Sequence, residues 1–275
     1  MAVDLHIHTT ASDGRLSPSE VVEEACRVGL TAMAVADHDT VAGVEEAVFT
    51  ASRQCGLRVI PALELSTDIE ASEVHILGYF VDIKNPRLLG KLAELRRARI
   101  DRAKKMLEKL KRAGIDIPFE DVASLGKDGF VGRGQIFRAM INAGYINPAA
   151  PHHAFEYYLG KHGVAYEEHY GLTPYDAVDT VLNAGGIPVI AHPARTASDG
   201  FIGKLVEHGL MGIEAYYPGY TPDIIQYYLD LARTYNLVVT GGSDFHGPAA
   251  HQPVGIGGVL VPDEVVNNLY LRMKE

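Results

Sequence analysis

The chain has 275 residues, 47% of them hydrophobic and 22% charged, with a formal net charge of −10. Those proportions exclude a disordered or fibrous chain and leave room for one large core, or for a core carrying an insertion. The acidic balance also argues against a general nucleic-acid coat protein, although it says nothing about a local site.

The first apolar segment, VDLHIH, reads as a strand. Residues i and i+2 of a strand point the same way, roughly 7 Å apart, so His6 and His8 present two imidazoles on one face. The next segment, SPSEVVEEACRVG, reads as a helix. Ser17 is its N-cap, Pro18 its first residue, Glu20 completes a capping box and Gly29 stops it. LTAMAVADH is a second strand ending in Asp37, His38 and then Asp39. VAGVEEAVFTASRQCG is a helix, LRVIPALELS a strand carrying Glu64, and EVHILGYFVD a strand carrying His75.

Between about Pro86 and Gly171 the rhythm changes. One long helical pattern, Arg87 to Arg112, carries eleven Lys/Arg against three Asp/Glu, and a Gly- and aromatic-rich stretch follows. The βα alternation then resumes. LTPYDAVDTVLNAGG, FIGKLVEHG and PDIIQYYLDLARTYN are helices, and IPVIAHP, MGIEAYYP and LVVTGGSDFH are strands ending near His192, Glu214, and Asp244 with His246. Repeated βα units with continuous apolar strands imply a parallel sheet buried on both faces, with a TIM-like barrel as the leading architecture. The expected organisation is a barrel from residues 1–85 and 172–275, and a helical insertion from 86–171 that covers the substrate.

No apolar run approaches the ~20 residues that span a bilayer. The opening MAVDLHIHTT lacks a basic start and an apolar stretch, so no secretory signal is visible. Cys26 and Cys55 are too few for a disulfide framework. A reduced, cytoplasmic compartment is expected, with Cys26 acting as a small buried hydrophobe on its helix. Nothing in the sequence calls for a membrane or an obligate protein partner.

In a parallel barrel the C-terminal strand ends converge on one rim. His6, His8, Asp13, His38, Glu64, His75, His192, Asp244 and His246 would meet there, too much polar material for a core unless cations offset the desolvation. The mixed N/O donor set suits Mn, Fe or Zn better than Ca or Mg. Arg195, in HPAR, and Arg133, between two glycines in GFVGRGQIFRAM, are candidates to hold a phosphate, because a guanidinium fork matches its oxygens. The alternative for each is an ordinary surface charge.

Taken together, HIHTTASDG, ADHDT, the Glu of ALELS, VHILGY, AHPAR and GSDFH resemble the PHP (polymerase and histidinol phosphatase) superfamily, in its stand-alone nucleotide phosphatase and 5'-3' exoribonuclease branch. The resemblance covers essentially the whole chain. It implies a distorted (β/α)7 TIM-like barrel with a trinuclear centre of divalent metal ions. His6, His8, Glu64 and Asp244 would hold one ion. Glu64, His75 and His192 would hold a second, and Asp13, His38 and His246 the third. Asp37 and Asp39 would orient imidazoles or cap the next helix. The family segment GRPHIARAM reads GRGQIFRAM here, so Gln135 stands in place of a histidine and is a candidate hydrogen-bond donor to substrate. Arg133, Arg195, Gln135 and Glu214 form the expected substrate set, with His192 a weakly supported proton donor beside Arg133 and Arg195; Glu214, ending a strand at the rim, could hold a sugar, orient a ligand or serve as a structural hydrogen-bond acceptor.

The implied activity is hydrolysis of phosphate monoesters of nucleotides, extending to the 5' ends of short oligoribonucleotides. The basic helix could steer such polyanions, or be a solvated face with i,i+4 pairs. Competing readings are a histidinol-phosphate phosphatase and an amidohydrolase-type C–N hydrolase, and no strand end offers the latter's lysine.

Overall fold

The computed structural model describes residues 2–69, 72–126, 130–147, 151–168, 172–196, 199–248 and 254–274. Seven strands form one sheet in chain order: β1 (Ala2–Ile7), β2 (Leu30–Val35), β3 (Arg58–Ile69), β4 (Ser72–Tyr79), β5 (Ile187–Ile190), β6 (Gly212–Tyr216) and β7 (Val238–Gly241). Helices α1 (Pro18–Arg27) and α2 (Val44–Gln54) follow β1 and β2. The chain between β4 and β5 carries α3 (Pro86–Arg112), α4 (Phe119–Ala123), α5 (Arg133–Asn142), α6 (Pro151–Leu159) and α7 (Pro174–Asn183). Helices α8 (Pro193–Thr196) and α9 (Asp199–Glu207) precede β6, α10 (Pro222–Tyr235) precedes β7, and α11 (Glu264–Arg272) ends the chain.

Local chemistry sets these boundaries. At the start of α1 the Ser17 hydroxyl accepts from the Glu20 amide at 3.2 Å, while the Glu20 carboxylate accepts from the Ser17 amide at 2.7 Å. Two of the helix's orphan donors are thereby satisfied. Asn85 does the same for α3, accepting from the amides of Arg87 and Leu88.

The sheet departs from the all-parallel expectation at β4, which runs antiparallel to both β3 and β5. The reason is a hairpin: β3 turns directly into β4, with no intervening helix to carry the chain back. The expected closed barrel is not found as such. The edges β1 and β7 approach, and Ile7 pairs with Phe245 in a parallel bridge, but among the described residues no continuous ladder joins them. Buried Asp4 spans the gap, accepting from the amides of Ser243 at 2.9 Å and Gly257 at 2.8 Å. Gly242 is pressed against β1, where a Cβ would lie 2.4 Å from the His6 nitrogen.

One face of the sheet packs Leu5, Ala34, Ile60, Leu77, Tyr79 and Val189 against α11. The other packs Met33, Val35, Leu65, Ile76 and Ile213 against the outer helices. A third cluster, with Met106, Leu110, Ile136, Phe137, Met140 and Leu159, lies wholly within the long segment between β4 and β5.

The cysteines differ from expectation. Cys26 is half-buried and joined to the exposed Cys55 in a disulfide, with Cα atoms 6.0 Å apart. Successive βα units bring equivalent helix ends together, so the last turn of α1 meets the end of α2. The separation of 29 residues is one βα repeat, a spacing that does not resemble the short patterns of small disulfide-rich proteins. Among the described residues no helix is long and apolar enough to cross a membrane.

Candidate metal centre

The strands and the loops that follow them put five imidazoles in a circuit, with a sixth stacked on it. His6 and His8 have ring centroids 5.1 Å apart, His8 and His38 4.6 Å, His38 and His75 5.2 Å, His75 and His192 5.1 Å, and His192 and His6 5.8 Å. His246 stacks on His8 at 4.1 Å. Glu64 occupies the middle. Its Oε1 lies 2.8 Å from His75 Nδ1 and 3.0 Å from His192 Nε2, and its Oε2 lies 3.1–3.3 Å from nitrogens of His38, His6 and His8. Asp244 Oδ1 is 3.0 Å from His8 Nε2, and Asp13 Oδ1 is 3.4 Å from His246 Nε2. All nine residues expected from the sequence converge.

The supporting shell explains why the strand ends hold this shape. Asp37 accepts from the Thr9 amide and hydroxyl, both at 2.7 Å, and from the Ser12 hydroxyl at 2.5 Å. That ties the loop after β1 and places Asp13. Gly14 completes the turn, since a Cβ there would sit 2.6 Å from the His8 carbonyl oxygen. His192 and Asp244 adopt φ values of 30° and 50°, left-handed backbone that non-glycine residues rarely take and that concentrates at functional sites. Among the described residues, the hydrogen bonds of Asp37 and Asp39 go to the β1 loop, Arg99 and Ser66, in keeping with a structural role. Asp37 braces the loop, and Asp39 accepts from Arg99 of α3 at 2.6 Å and from the Ser66 amide at 3.0 Å.

Glu214 is fully buried; one oxygen accepts from the His6 ring at 2.9 Å and the other from the His192 amide at 2.8 Å. It lies beneath the ring rather than at its mouth, and the expected substrate contact is replaced by a hold on two of the imidazole-bearing residues. Gln135 is likewise 1% exposed. Its amide nitrogen donates to the Ser12 carbonyl at 3.1 Å and its oxygen accepts from the Gly132 amide at 3.0 Å, so it fastens α5 to the β1 loop instead of facing a substrate. Arg133 donates to Glu73 at 2.6 Å, and Glu73 in turn lies 3.6 Å from His75 Nε2. The exposed Arg195 donates to the Tyr217 hydroxyl at 2.8 Å, and that hydroxyl donates to Asp244 at 2.6 Å. Tyr217, Glu73 and Arg99 were not read from the sequence; Tyr217 stands in EAYYPGY, and only its nearness to a strand end marked it, whereas for Glu214 the orienting, hydrogen-bonding alternative is the one the structure shows.

The electrostatics point to cations. Burial works to raise the Glu64 carboxyl, but the imidazoles of His38, His75 and His6 outweigh it and hold it well below the usual range. Conversely, burial works to lower His8 and His75, yet the neighbouring carboxylates, Glu64 foremost for His75, push both up to about 10. At His38 burial prevails and the ring falls to about 3. Buried anions here demand positive charge. Several donor atoms nonetheless lack any hydrogen bond: His6 Nε2, both nitrogens of His8, Glu64 Oε2, His75 Nε2 and His192 Nδ1. Orphaned donors of this kind fit metal ions well. They fall into three sets whose ligand atoms lie within 4.8 Å of one another: His6, His8, Glu64 and Asp244; His8, Asp13, His38 and His246; and His38, Glu64 and His75. His192, close to Glu64 and His75, adjoins the last.

The sequence pattern of the PHP domain matches residues 4–116. A 5'-3' exoribonuclease of Haemophilus influenzae is 35% identical over 257 residues, covering 92% of each chain. A 3',5'-nucleoside bisphosphate phosphatase of Chromobacterium violaceum is 31% identical over 252 residues, 90% of this chain and 87% of that one. Among solved structures, a Bifidobacterium adolescentis protein provisionally described as a metal-dependent phosphoesterase superposes with a TM-score of 0.89 at 32% identity, covering 98% of this chain and 96% of its own.

Proposed function

The chain belongs to the PHP domain family, and we propose that it is a metal-dependent phosphoesterase acting on phosphate monoesters of nucleotides and on the 5' ends of short oligoribonucleotides. The observation that carries this reading is the buried imidazole circuit around Glu64, with its orphaned donor atoms. Three divalent ions, drawn from Mn, Fe and Zn, would be held by the three sets above, with His192 completing the one that contains His75. Such ions polarise a phosphoryl oxygen and lower the pKa of bound water toward ~7.

The chain's own residues do the rest. Glu214 fixes the His6 ring through Nδ1 and so presents Nε2 to the centre. Tyr217 holds Asp244 and the Arg195 guanidinium in one line, placing a fork at the mouth where charge develops on the equatorial phosphoryl oxygens. Arg133 approaches from α5, beside His75 through Glu73. Its pairing with Glu73 leaves further N–H donors for an anion. His192, with Nε2 on Glu64, fits a ligand better than a proton donor. Residues 86–171, with a hydrophobic cluster of their own, form the cover on the substrate side. The two relatives named for nucleotide and RNA hydrolysis support the substrate class.

The test pairs elemental analysis of purified protein with phosphate release from AMP, a nucleoside 3',5'-bisphosphate, histidinol phosphate and a 5'-phosphorylated oligoribonucleotide. Bound transition metal with release from the nucleotides is expected. Metal-replete protein that leaves every nucleotide intact, or prefers histidinol phosphate, overturns the reading.

A further inference from the structure

Resting on that reading, we infer that Tyr220 is a positioning residue for the phosphoryl group: by gripping the backbone of α8 it sets the place of the Arg195 guanidinium, whose tip Tyr217 holds. Arg195 stands in α8, four residues (Pro193–Thr196) that begin directly after His192. His192 turns the chain with φ 30°, a conformation that persists only where the surroundings hold it. Tyr220 supplies part of that hold from the loop between β6 and α10, 26 residues along the chain from Ala194. Its hydroxyl oxygen accepts from the Ala194 amide at 2.9 Å, and the Arg195 amide faces the same oxygen. Burial pushes the Tyr220 hydroxyl above its ordinary value, so the group stays neutral.

The hold on the other end of Arg195 comes from the same turn. The Tyr220 amide donates to the Tyr217 carbonyl at 3.1 Å, Gly219 between them has φ 79°, and the two rings lie 5.2 Å apart. The Tyr217 hydroxyl accepts from Arg195 Nη1 at 2.8 Å and donates to Asp244 at 2.6 Å. Behind the turn, Tyr228 of α10 is 2% exposed, stacks on Tyr220 at 5.9 Å and donates to Asp199 at 2.9 Å. One short turn, backed by the core, thus grips Arg195 by its backbone and by its tip. An unheld arginine spreads over many rotamers and loses that freedom when it meets an anion. A fork already fixed avoids the loss, and fixed charge is what stabilises a phosphoryl transition state. A guanidinium carries five N–H donors, so the bond to Tyr217 leaves donors for phosphoryl oxygens.

Calorimetric binding of inorganic phosphate to the metal-loaded protein tests it, in the native chain, in Tyr220→Phe, in Arg195→Met and in the double variant. Tyr220→Phe keeps the ring against Tyr228 and removes only the hydroxyl. It should weaken phosphate binding about three- to tenfold, the worth of one neutral hydrogen bond, with metal content unchanged. Arg195→Met should weaken it about tenfold or more. The double variant should lose no more than Arg195→Met alone, because the hydroxyl acts through the guanidinium. A hydroxyl that merely supports the fold would cost the same in both backgrounds, and that result overturns the inference. So does native affinity in either single variant, or a Tyr220→Phe that loses metal or fails to fold. Binding is read without turnover. The expected coupling in a protein that hydrolyses no nucleotide would therefore sink the proposed activity and leave the role of Tyr220 standing, whereas nucleotide hydrolysis with additive losses would sink that role alone.

Discussion

The two sides of the site are built differently. On the sheet side, His6, His8, Glu64, His75, His192 and Asp244 are carried on strands or directly after them, and the backbone itself aims them inward. On the helical side, Arg99, Arg102 and Arg133 reach the same place by long side chains from α3 and α5, held by hydrogen bonds to Asp39, Glu167 and Glu73. The first arrangement suits a metal centre, which tolerates little displacement of its ligands. The second suits a substrate surface, which only has to meet phosphate oxygens at the tips of flexible forks. The contrast teaches a division of labour: changes on the sheet side should alter metal content, and changes on the helical side should alter substrate affinity with the metals retained.

The largest effect is expected from His8→Ala. His8 is the one residue shared by the first two ligand sets, and neither of its ring nitrogens has a hydrogen bond. Its loss should lower bound metal and reduce phosphate release by about 10³ or more, comparable to removing a principal electrostatic element of catalysis. Retained metal with a normal rate would dissolve the division at its strongest point. Far-ultraviolet circular dichroism should stay unchanged, because the sheet does not depend on that ring.

Glu214→Gln should come next. The carboxylate is fully buried and fixes the His6 ring and the His192 backbone. Loss of such support typically costs about 10–100-fold in metal affinity or activity. The measurement that sharpens the comparison is metal titration, with excess metal restoring much of the rate. If rescue fails while KM rises, Glu214 belongs with the substrate-facing residues after all.

Arg133→Ala belongs to the other side, and its expected effect is smaller: about a tenfold rise in KM, the worth of one charge-assisted hydrogen bond, with metal content as in the native protein. Lost metal here would mean that α5 is part of the metal scaffold. That outcome is a live alternative in the geometry, because Arg133 leans on Glu73 and Glu73 on His75.

How far each side could be read from sequence follows the same division. His6 and His8 are legible because strand periodicity fixes their direction, and the other donors because they lie in or after apolar runs. The inner role of Gln135 was not legible, and that of Glu214 only as one of several alternatives. Sequence shows that a carboxylate or amide is near the rim, but not whether it points in or out. Asp37 and Asp39 flank His38 alike, yet one braces the loop after β1 and the other docks α3. Only the folded path of the insertion distinguishes them. The antiparallel β4 escaped for a related reason: a hairpin and a βα crossover both leave an apolar run, and the turn residues between β3 and β4 carry no strong signal of either.

The smallest effect on activity should come from the end of the molecule remote from both sides. Cys26 and Cys55 join the C-terminal ends of α1 and α2, while the ligands stand at the C-terminal tips of the strands that precede those helices. A βα unit puts these two places at opposite ends of the sheet. Closing a loop of this length restricts the unfolded chain by about 3–4 kcal/mol in the entropic description. Cys26→Ser should therefore lower the melting temperature while leaving metal content, and the rate at temperatures well below the transition, as they were. Thiol titration of the denatured native protein checks that the bond is present. A variant that melts normally would show that the two helices are already held by their own packing, through Val21, Ala25, Ala47 and Ala51. A variant that loses metal would show that the far ends of the helices are coupled to the strand tips, and the separation between scaffold and site would have to be redrawn.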